Sequence, residues 1–165
     1  MELKFKKLNE NAITPTRSHN TDAGLDFYTI GFDTVVNEAR EMLLVYHTGI
    51  AVEIPEGYVG LLFSRSSVFK KSLIQSNCVG VIDAGYRGEL MVTFRTTTTS
   101  VPEIYKQGDK CFQLVIVPIP TIELIEAEEL NDSERGVGGF GSTGDNVNSG
   151  EVGDVSDTEQ ETKID

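Results

Sequence analysis

Short apolar runs separated by turn signals constrain this chain more than any other feature. Between residues 49 and 54, Ile50, Val52 and Ile54 alternate with less apolar residues, which is the period of a half-buried strand. Further strand-like runs end at glycines and prolines typical of turns, and they cover residues 3–8, 25–30, 42–54, 58–63, 89–94 and 111–119. The pattern predicts an all-β fold, as a distorted β-barrel or jelly roll.

A single segment favours a helix. In residues 64–73, SRSSVFKKSL, Ser64 is a candidate N-cap, and Val68, Phe69 and Leu73 are expected to face inward. One short helix among many strands disfavours an α/β fold with a dinucleotide site at a strand–helix crossover. The expected organisation is a β domain over 1–130, a Gly-rich arm over 131–144 and a disordered acidic tail over 145–165.

Charge is unevenly distributed along the 165 residues. The formal net charge is −12, and half of it comes from the last 21 residues, which hold seven acids and one lysine. A tail so poor in apolar residues is predicted to be disordered. Nucleic acids and anionic membranes both require a basic surface, so we expect neither as a partner. The sequence shows no run of 18 apolar residues and no apolar signal segment, and we expect a cytoplasmic protein.

The segment RGVGGFGSTG, residues 135–144, is a candidate for phosphate binding. Its glycines allow backbone N–H groups to approach an anion, and a planar Arg fork and two hydroxyls add donors, from Arg135, Ser142 and Thr143. Phe140 offers a flat apolar face on which a base could stack. The segment is not a P-loop, because the Lys-Ser/Thr ending is absent. A flexible linker would also be rich in glycine.

A second candidate anion site is the run Arg65-Ser66-Ser67, where a strand ends and the helix is expected to begin. It presents one cation and two hydroxyls in succession. A capped helix start with an incidental arginine would look the same.

Other polar residues stand beside or inside apolar strands. Asp83 in GVIDAGYRGEL follows an apolar strand and precedes a turn, and its carboxylate could orient or deprotonate a water if the leaving group is stabilised elsewhere. As a bare motif this segment is a hairpin turn. Asp26 and Gln113 lie in apolar strands and need a hydrogen-bond partner or a ligand. His19 and His47 have no visible partner, and neither is assigned a catalytic role.

Together these segments resemble the trimeric dUTPases. Five blocks occur in the order and spacing of that family, over residues from about 5 to 144: TDAGLDFY, GLLFSRSS, NCVGVIDAGYRGEL, GDKCFQLVIVP and RGVGGFGSTG. The resemblance implies a homotrimeric jelly roll with active sites between subunits and a C-terminal arm swapped onto a neighbour. It also implies Mg²⁺, held mainly by the triphosphate and water. The implied reaction is hydrolysis of dUTP to dUMP and pyrophosphate by water attack on the α-phosphate, which keeps uracil out of DNA and supplies dUMP for dTMP synthesis.

The resemblance also implies residue roles. Asp83 resembles the carboxylate that activates the water, and Tyr86 resembles the aromatic residue that packs on the sugar and leaves no room for a 2′-hydroxyl. The wall that reads uracil comprises Asn77, Val81, Ile82, the backbone of Asp83, and Met91. Phosphate-binding groups are Arg65, Ser66, Ser67 and Gln113, and Asp26 touches the metal through its water shell. The arm that stacks on uracil and clamps the γ-phosphate contains Arg135, Phe140, Gly141, Ser142 and Thr143.

Two positions depart from the family. Many relatives have Gly where Ser67 stands and Arg where Lys110 stands, and we expect Lys110 to be structural. The alternative enzyme is a dCTP deaminase, which shares the fold and the Arg-Ser-Ser block. A deaminase is expected to carry a catalytic Glu about ten residues after the hairpin Asp, a position that Thr93 occupies here. The alternative of another class is a regulatory protein that uses the dUTPase scaffold to bind a protein partner.

Overall fold

A computed structural model describes residues 1–98 and 101–137, and its regular structure is almost entirely antiparallel β. A five-residue 3₁₀ helix, Ser66–Lys70, is the exception in this part of the chain. The strands in order are β1 Lys4–Lys7, β2 Leu25–Tyr28, β3 Gly31–Val36, β4 Met42–Glu53, β5 Tyr58–Ser64, β6 Leu73–Gln75, β7 Gly80–Ile82, β8 Glu89–Thr96 and β9 Lys110–Pro118.

These strands form two sheets. The larger has the order β1-β4-β8-β6. The fifth strand of this sheet, β3, pairs with residues 42–47 of β4, and β1 pairs with residues 50–53 on the same edge of β4. The smaller has the order β2-β9-β5-β7. Within the smaller sheet, β2 and β7 are therefore the opposite edges. The architecture confirms the all-β, jelly-roll type of fold that the strand periodicity predicts.

The core consists of the apolar faces of both sheets. In β8, Leu90, Val92 and Phe94 are buried and alternate with residues that face outward, as the period of a strand requires. From the other sheet, the rings of Phe27 and Phe112 stack with centroids 5.0 Å apart. Close aromatic pairs of this kind stabilise the contact beyond the area that they bury, and this pair strengthens the pairing of β2 with β9 within the smaller sheet.

The predicted helix over 64–73 is shorter than expected. Ser64 belongs to β5 and caps no helix, because its hydroxyl donates to a side chain of β6 instead. Leu73 is buried but lies in β6. Phe69 is 78% exposed, so its inward placement was wrong. A 3₁₀ turn of five residues has room to direct only one apolar side chain, that of Val68, against the core.

The chain divides into two units between Glu123 and Leu124. The predicted boundary between domain and arm at 130 stays a prediction, and the predicted disordered tail over 145–165 lies outside the described residues. Among the described residues, no helix has the length and apolar character needed to span a membrane.

Candidate active site

Residues predicted to bind phosphate meet at one end of the smaller sheet. In the strand register, Asp26 of β2 lies opposite Gln113 of β9, and Gln113 lies opposite Phe63 of β5, two residues before Arg65. Four of the predicted residues line one polar cavity of about 240 Å³, namely Asp26, Arg65, Ser66 and Gln113. Three separate blocks of sequence therefore contribute to one cavity.

Asp26 is the centre of this cluster. Its carboxylate is largely buried and accepts hydrogen bonds from Arg65 Nε and from Lys110 Nζ, each at 2.8 Å. Charge-assisted bonds of this length hold both cations in place. The sequence did not place Lys110 in the site, although an Asp in a buried strand position signals a cationic partner. The structure places the Lys110 amine against this carboxylate.

Close packing also shapes the cavity. Gln113 Nε2 donates to the backbone oxygen of Ser64 at 3.2 Å, which fixes its side chain across the cavity floor. Gly24 lies directly against it, and a β-carbon at that position would overlap the Gln113 side-chain oxygen. A residue larger than glycine there would therefore require the Gln113 amide to move. The hydroxyl of Ser67 is 3.4 Å from an Arg65 nitrogen and lines a neighbouring cavity.

The carboxylate of Asp26 is the group of this cluster that is predicted to contact a metal ion. In the described part of the chain, no three His, Cys, Asp or Glu side chains are grouped so that they could hold a metal. Each Asp26 oxygen already accepts one hydrogen bond and keeps a second lone-pair position. This arrangement fits the predicted contact of Asp26 with a metal ion through water.

A second cavity lies in the turn between β7 and β8. The turn is closed by a hydrogen bond from Tyr86 N to the backbone oxygen of Asp83 at 3.0 Å. The cavity measures about 260 Å³, and five predicted residues line it together with Glu89: Val81, Ile82, Asp83, Tyr86 and Met91. The structure thus brings together the predicted water-activating carboxylate, the sugar-packing ring and most of the uracil wall.

The two reactive side chains of this hairpin are held differently. No group in the described residues hydrogen-bonds to the exposed Asp83 carboxylate, so both of its oxygens face solvent as acceptors. The Tyr86 hydroxyl donates to the backbone oxygen of Glu89 at 3.0 Å, which fixes the ring across the turn. A β-carbon at Gly88 would overlap this hydroxyl. Glycine there is therefore required for the position of Tyr86.

Glu89 is a site residue that the sequence reasoning missed. One of its oxygens accepts the backbone N–H groups of Thr48 and Gly49, at 3.0 and 2.6 Å, where β4 bulges. Its other oxygen is 3.2 Å from Nδ1 of His47, and Nε2 of His47 is 3.0 Å from Asp33. The statement that His47 has no partner is wrong, because the register of β3, β4 and β8 brings both carboxylates to it. No sequence spacing reveals such a cross-strand arrangement.

His47 makes the stability of the fold depend on pH. Burial lowers the pKa of His47, but the hydrogen bonds and the negative charges of Glu89 and Asp33 together raise it by more. The pKa of His47 is therefore raised above its ordinary value of 6.5. Two carboxylate acceptors require two N–H donors, and only the charged ring has both. A raised pKa in the folded state stabilises the protein fully below the unfolded pKa, near 6.5, and this stabilisation is lost as pH rises through the folded pKa.

We therefore expect His47→Gln to lower the free energy of unfolding at about pH 6 by up to about 1 kcal/mol, since Asp33 lies mostly in water. The difference from wild type should shrink as the pH rises to about 9. Urea unfolding across this range measures it, with His19→Gln as a control that removes a ring without an ion pair in the described residues. A difference that grows with pH would contradict the assignment.

The two cavities of one chain are far apart. Ile82 lies opposite Gly60 on β5, and Arg65 follows five residues later on an extended backbone, which corresponds to about 17 Å. The Arg65 side chain is also turned toward Asp26, at the other edge of the sheet from β7. In one chain, a group bound in the phosphate cavity therefore lies out of reach of the Asp83 carboxylate.

The remaining predicted residues lie elsewhere. Asn77 is exposed in the turn between β6 and β7 and does not line the hairpin cavity. Arg135 is exposed within the unit that begins at Leu124. The other predicted arm residues lie outside the described part of the chain, namely Phe140, Gly141, Ser142 and Thr143.

Solved structures with similar folds include a phage enzyme. The dUTPase of Staphylococcus bacteriophage 80alpha, solved with dUpNHpp, superposes with a TM-score of 0.72 at 37% identity, covering 87% of this chain and 98% of the phage chain. A variant of the phage phi11 dUTPase, described as coordinating a structural Mg(II) ion, has a TM-score of 0.65 at 36% identity, covering 78% and 98% of the two chains.

Sequence relatives agree with this likeness. A protein of Clostridioides difficile is 42% identical over 143 residues, covering 86% of this chain and 97% of its own, and one of Nautilia profundicola is 41% identical over 145 residues, covering 87% and 99%. Both are called deoxyuridine 5′-triphosphate nucleotidohydrolase. The dUTPase family model matches residues 10–144. The chain therefore belongs to the dUTPase family.

Proposed function

We infer that this protein is a dUTP diphosphatase that hydrolyses dUTP to dUMP and pyrophosphate. The family assignment supports the activity, and one observation supports the residue roles. Three of the predicted phosphate-binding residues, Arg65, Ser66 and Gln113, line one polar cavity, and most of the predicted base, sugar and water residues line another. A chance resemblance of short motifs would not sort its residues by chemical role in this way.

The hairpin cavity is the proposed place of the nucleoside and the attacking water. Asp83 accepts the proton of a water that attacks the α-phosphorus, while the bond from that phosphorus to the β-phosphate oxygen breaks. The fixed ring of Tyr86 packs on the sugar and excludes a 2′-hydroxyl. The strand edge of Val81 and Ile82, with Met91 behind it, forms the wall against uracil, and Asn77 adds a polar side chain to it.

The phosphate cavity is the proposed place of the triphosphate. Arg65 offers a planar fork, and hydroxyl and amide donors of Ser66 and Gln113 surround it, while the backbone of Ser67 contributes a further N–H. Asp26 holds Arg65 in position through the 2.8 Å ion pair. These donors stabilise the negative charge that develops on the leaving pyrophosphate.

Mg²⁺ would be held by the phosphates and by water, with Asp26 touching its water shell. When bound, it would offset phosphate charge and so ease departure of pyrophosphate. The phi11 relative, with its structural Mg(II) ion, and the free lone pairs on Asp26 support this contact.

The active site is proposed to be shared between chains of a homotrimer. A separation of about 17 Å along β5 cannot be bridged by an α-phosphate and its attacking water, which must lie within about 3 Å of Asp83. A hairpin from one chain and a phosphate cavity from its neighbour would complete each site, as a cyclic head-to-tail assembly allows. Exposed apolar side chains near the C-terminal arm also favour contact with another chain, at Ile119, Ile122, Leu124, Ile125 and Leu130.

The arm is proposed to close the site. Phe140 would stack on uracil, and Arg135, Gly141, Ser142 and Thr143 would clamp the γ-phosphate, as in the family block that they resemble. The spacing of an arginine, an aromatic ring and two hydroxyls among glycines supports this role.

A substrate panel tests the proposed activity. We expect purified protein with Mg²⁺ to release pyrophosphate from dUTP and to leave dCTP, dTTP and UTP nearly untouched. The hairpin excludes a 5-methyl group and a 2′-hydroxyl by shape, and its backbone donors and acceptors reject cytosine by hydrogen-bond polarity. Turnover of dCTP equal to that of dUTP, with release of ammonia, would instead support the deaminase alternative. Absence of dUTP turnover would contradict the proposal.

A second candidate function is regulation through a protein partner. The phage 80alpha relative is described as one of the phage dUTPases that control transfer of virulence genes by a G protein-like mechanism. Its likeness to this chain supports a nucleotide-dependent protein contact as an additional role. Such a role would be compatible with hydrolysis, since all the predicted catalytic residues are present in the sequence.

A further inference from the structure

A buried amide that the roles above do not use is hydrogen-bonded to Asn77, the residue proposed to contact the base. Gln75, at the end of β6, is only 4% exposed, and its side chain has three partners. Ser64 Oγ donates to Gln75 Oε1 at 2.9 Å, and Gln75 Nε2 donates to Leu62 O at 3.2 Å and to Asn77 Oδ1 at 3.1 Å. Together these bonds leave the Gln75 amide a single orientation.

The orientation follows from the backbone. A backbone carbonyl oxygen can only accept, so the side of the Gln75 amide that faces Leu62 must be the nitrogen. The amide oxygen then faces Ser64, whose hydroxyl can donate. The second N–H of Gln75 points at Asn77, which must present its oxygen in return. The Leu62 carbonyl thereby determines the orientation of both amides, a choice that atom positions alone leave open.

The exposed side of Asn77 is consequently a donor. Its oxygen is engaged by Gln75, and its nitrogen lies toward the start of β7, 3.6 Å from where a β-carbon on Gly80 would stand. The residue before Asn77 donates its backbone N–H to Thr93 at 2.9 Å, two residues from Met91 on β8. The amide N–H₂ group of Asn77 therefore lies beside the start of β7, and the turn that follows β7 forms the hairpin cavity.

We propose that Gln75 is a positioning residue for base selection, which holds Asn77 with its N–H₂ group toward the base. Uracil has an acceptor, O4, where cytosine has the donor N4–H₂. A fixed donor therefore favours uracil, whereas a rotated Asn77 would offer its oxygen to cytosine. The inference rests on the proposed contact of Asn77 with the base.

Substitution of Gln75 by methionine tests the inference. Gln75→Met keeps the length of the side chain and frees the Asn77 amide to rotate. We expect the ratio of kcat/KM for dUTP to that for dCTP to fall about tenfold, the value of one hydrogen bond. Gln75 in a purely packing role would lower kcat/KM for both substrates together, and an unchanged ratio would overturn the proposal.

Gln75→Glu is an isosteric second variant with a sharper signature. A protonated Glu in this buried place has one hydrogen, which Leu62 O takes, so Asn77 must donate to the Glu oxygen and turn its own oxygen toward the base. We expect a lower dUTP to dCTP ratio than in Gln75→Met. If Gln75→Met fails to fold, the ratio in Gln75→Glu decides, and a wild-type ratio there overturns the proposal.

Two further variants separate this inference from its premise. Thr29→Val removes hydrogen bonds of another fully buried side chain, away from the hairpin, and should lower the unfolding midpoint while the dUTP to dCTP ratio of kcat/KM stays unchanged.

Asn77→Ala should lower the dUTP to dCTP ratio by itself, and adding Gln75→Met should lower it no further. An unaffected ratio in Asn77→Ala overturns the proposed base contact and the inference with it. A lowered ratio there beside a wild-type ratio in Gln75→Glu overturns the inference alone.

Discussion

Asp83→Asn is expected to remove most turnover and to leave nucleotide binding nearly unchanged. An amide keeps the size of the carboxylate but cannot accept a proton, and general-base catalysis typically contributes about a hundredfold to ten-thousandfold. The Asp83 carboxylate is exposed and has no hydrogen-bond partner in the described residues, so the substitution should not disturb the fold. Loss of kcat without loss of affinity is the signature of a group that acts in the transition state.

Pyrophosphate release and calorimetric titration with dUpNHpp measure the two quantities on the same sample. Glu56→Gln is the matched control, because it converts another exposed carboxylate to an amide in the turn before β5. We expect wild-type turnover and affinity for it. Turnover within a few-fold of wild type in Asp83→Asn would remove this residue from the chemical step.

Much of the fold follows from the sequence because the buried strands carry a strong period. The inward placement of Ile50, Val52 and Ile54 is confirmed, since all three are buried in or beside β4, but Ala51 between them is buried too, so the predicted alternation is incomplete there. The edge strand β3 and the three-residue β6 escape such reasoning. Most side chains of β3 are exposed, and three residues are too few to show a period.

The site was less predictable, for a physical reason. Family blocks point to Asp26, Arg65 and Asp83 as candidate site residues, but contacts across strands depend on register, which sequence does not give. The pairing of Lys110 with Asp26, and the placement of His47 between Asp33 and Glu89, both arise from such register. The predicted helix was too long at its start because the Ser64 hydroxyl, expected to cap it, donates instead to Gln75 on another strand.

A second prediction with a large expected change in activity concerns active sites that are shared between chains. Asp83→Asn disables the hairpin and leaves the phosphate cavity intact. Arg65→Gln does the reverse, and Lys110 remains as a cationic partner for the buried Asp26. Each variant alone should be nearly inactive. In the proposed trimers, however, those that contain both kinds of chain should have some sites that combine the intact hairpin of one chain with the intact phosphate cavity of another.

Co-expression of these two variants in equal amounts tests the shared site most directly. The mixture is then assayed for dUTP hydrolysis, and the mass of its particles is measured. Each half of a shared site is intact in half of the chains, so random assembly predicts about a quarter of wild-type activity in particles of trimer mass. A mixture no more active than the better of the two variants would mean that Asp83 and Arg65 of the same chain work together, and would contradict the shared site.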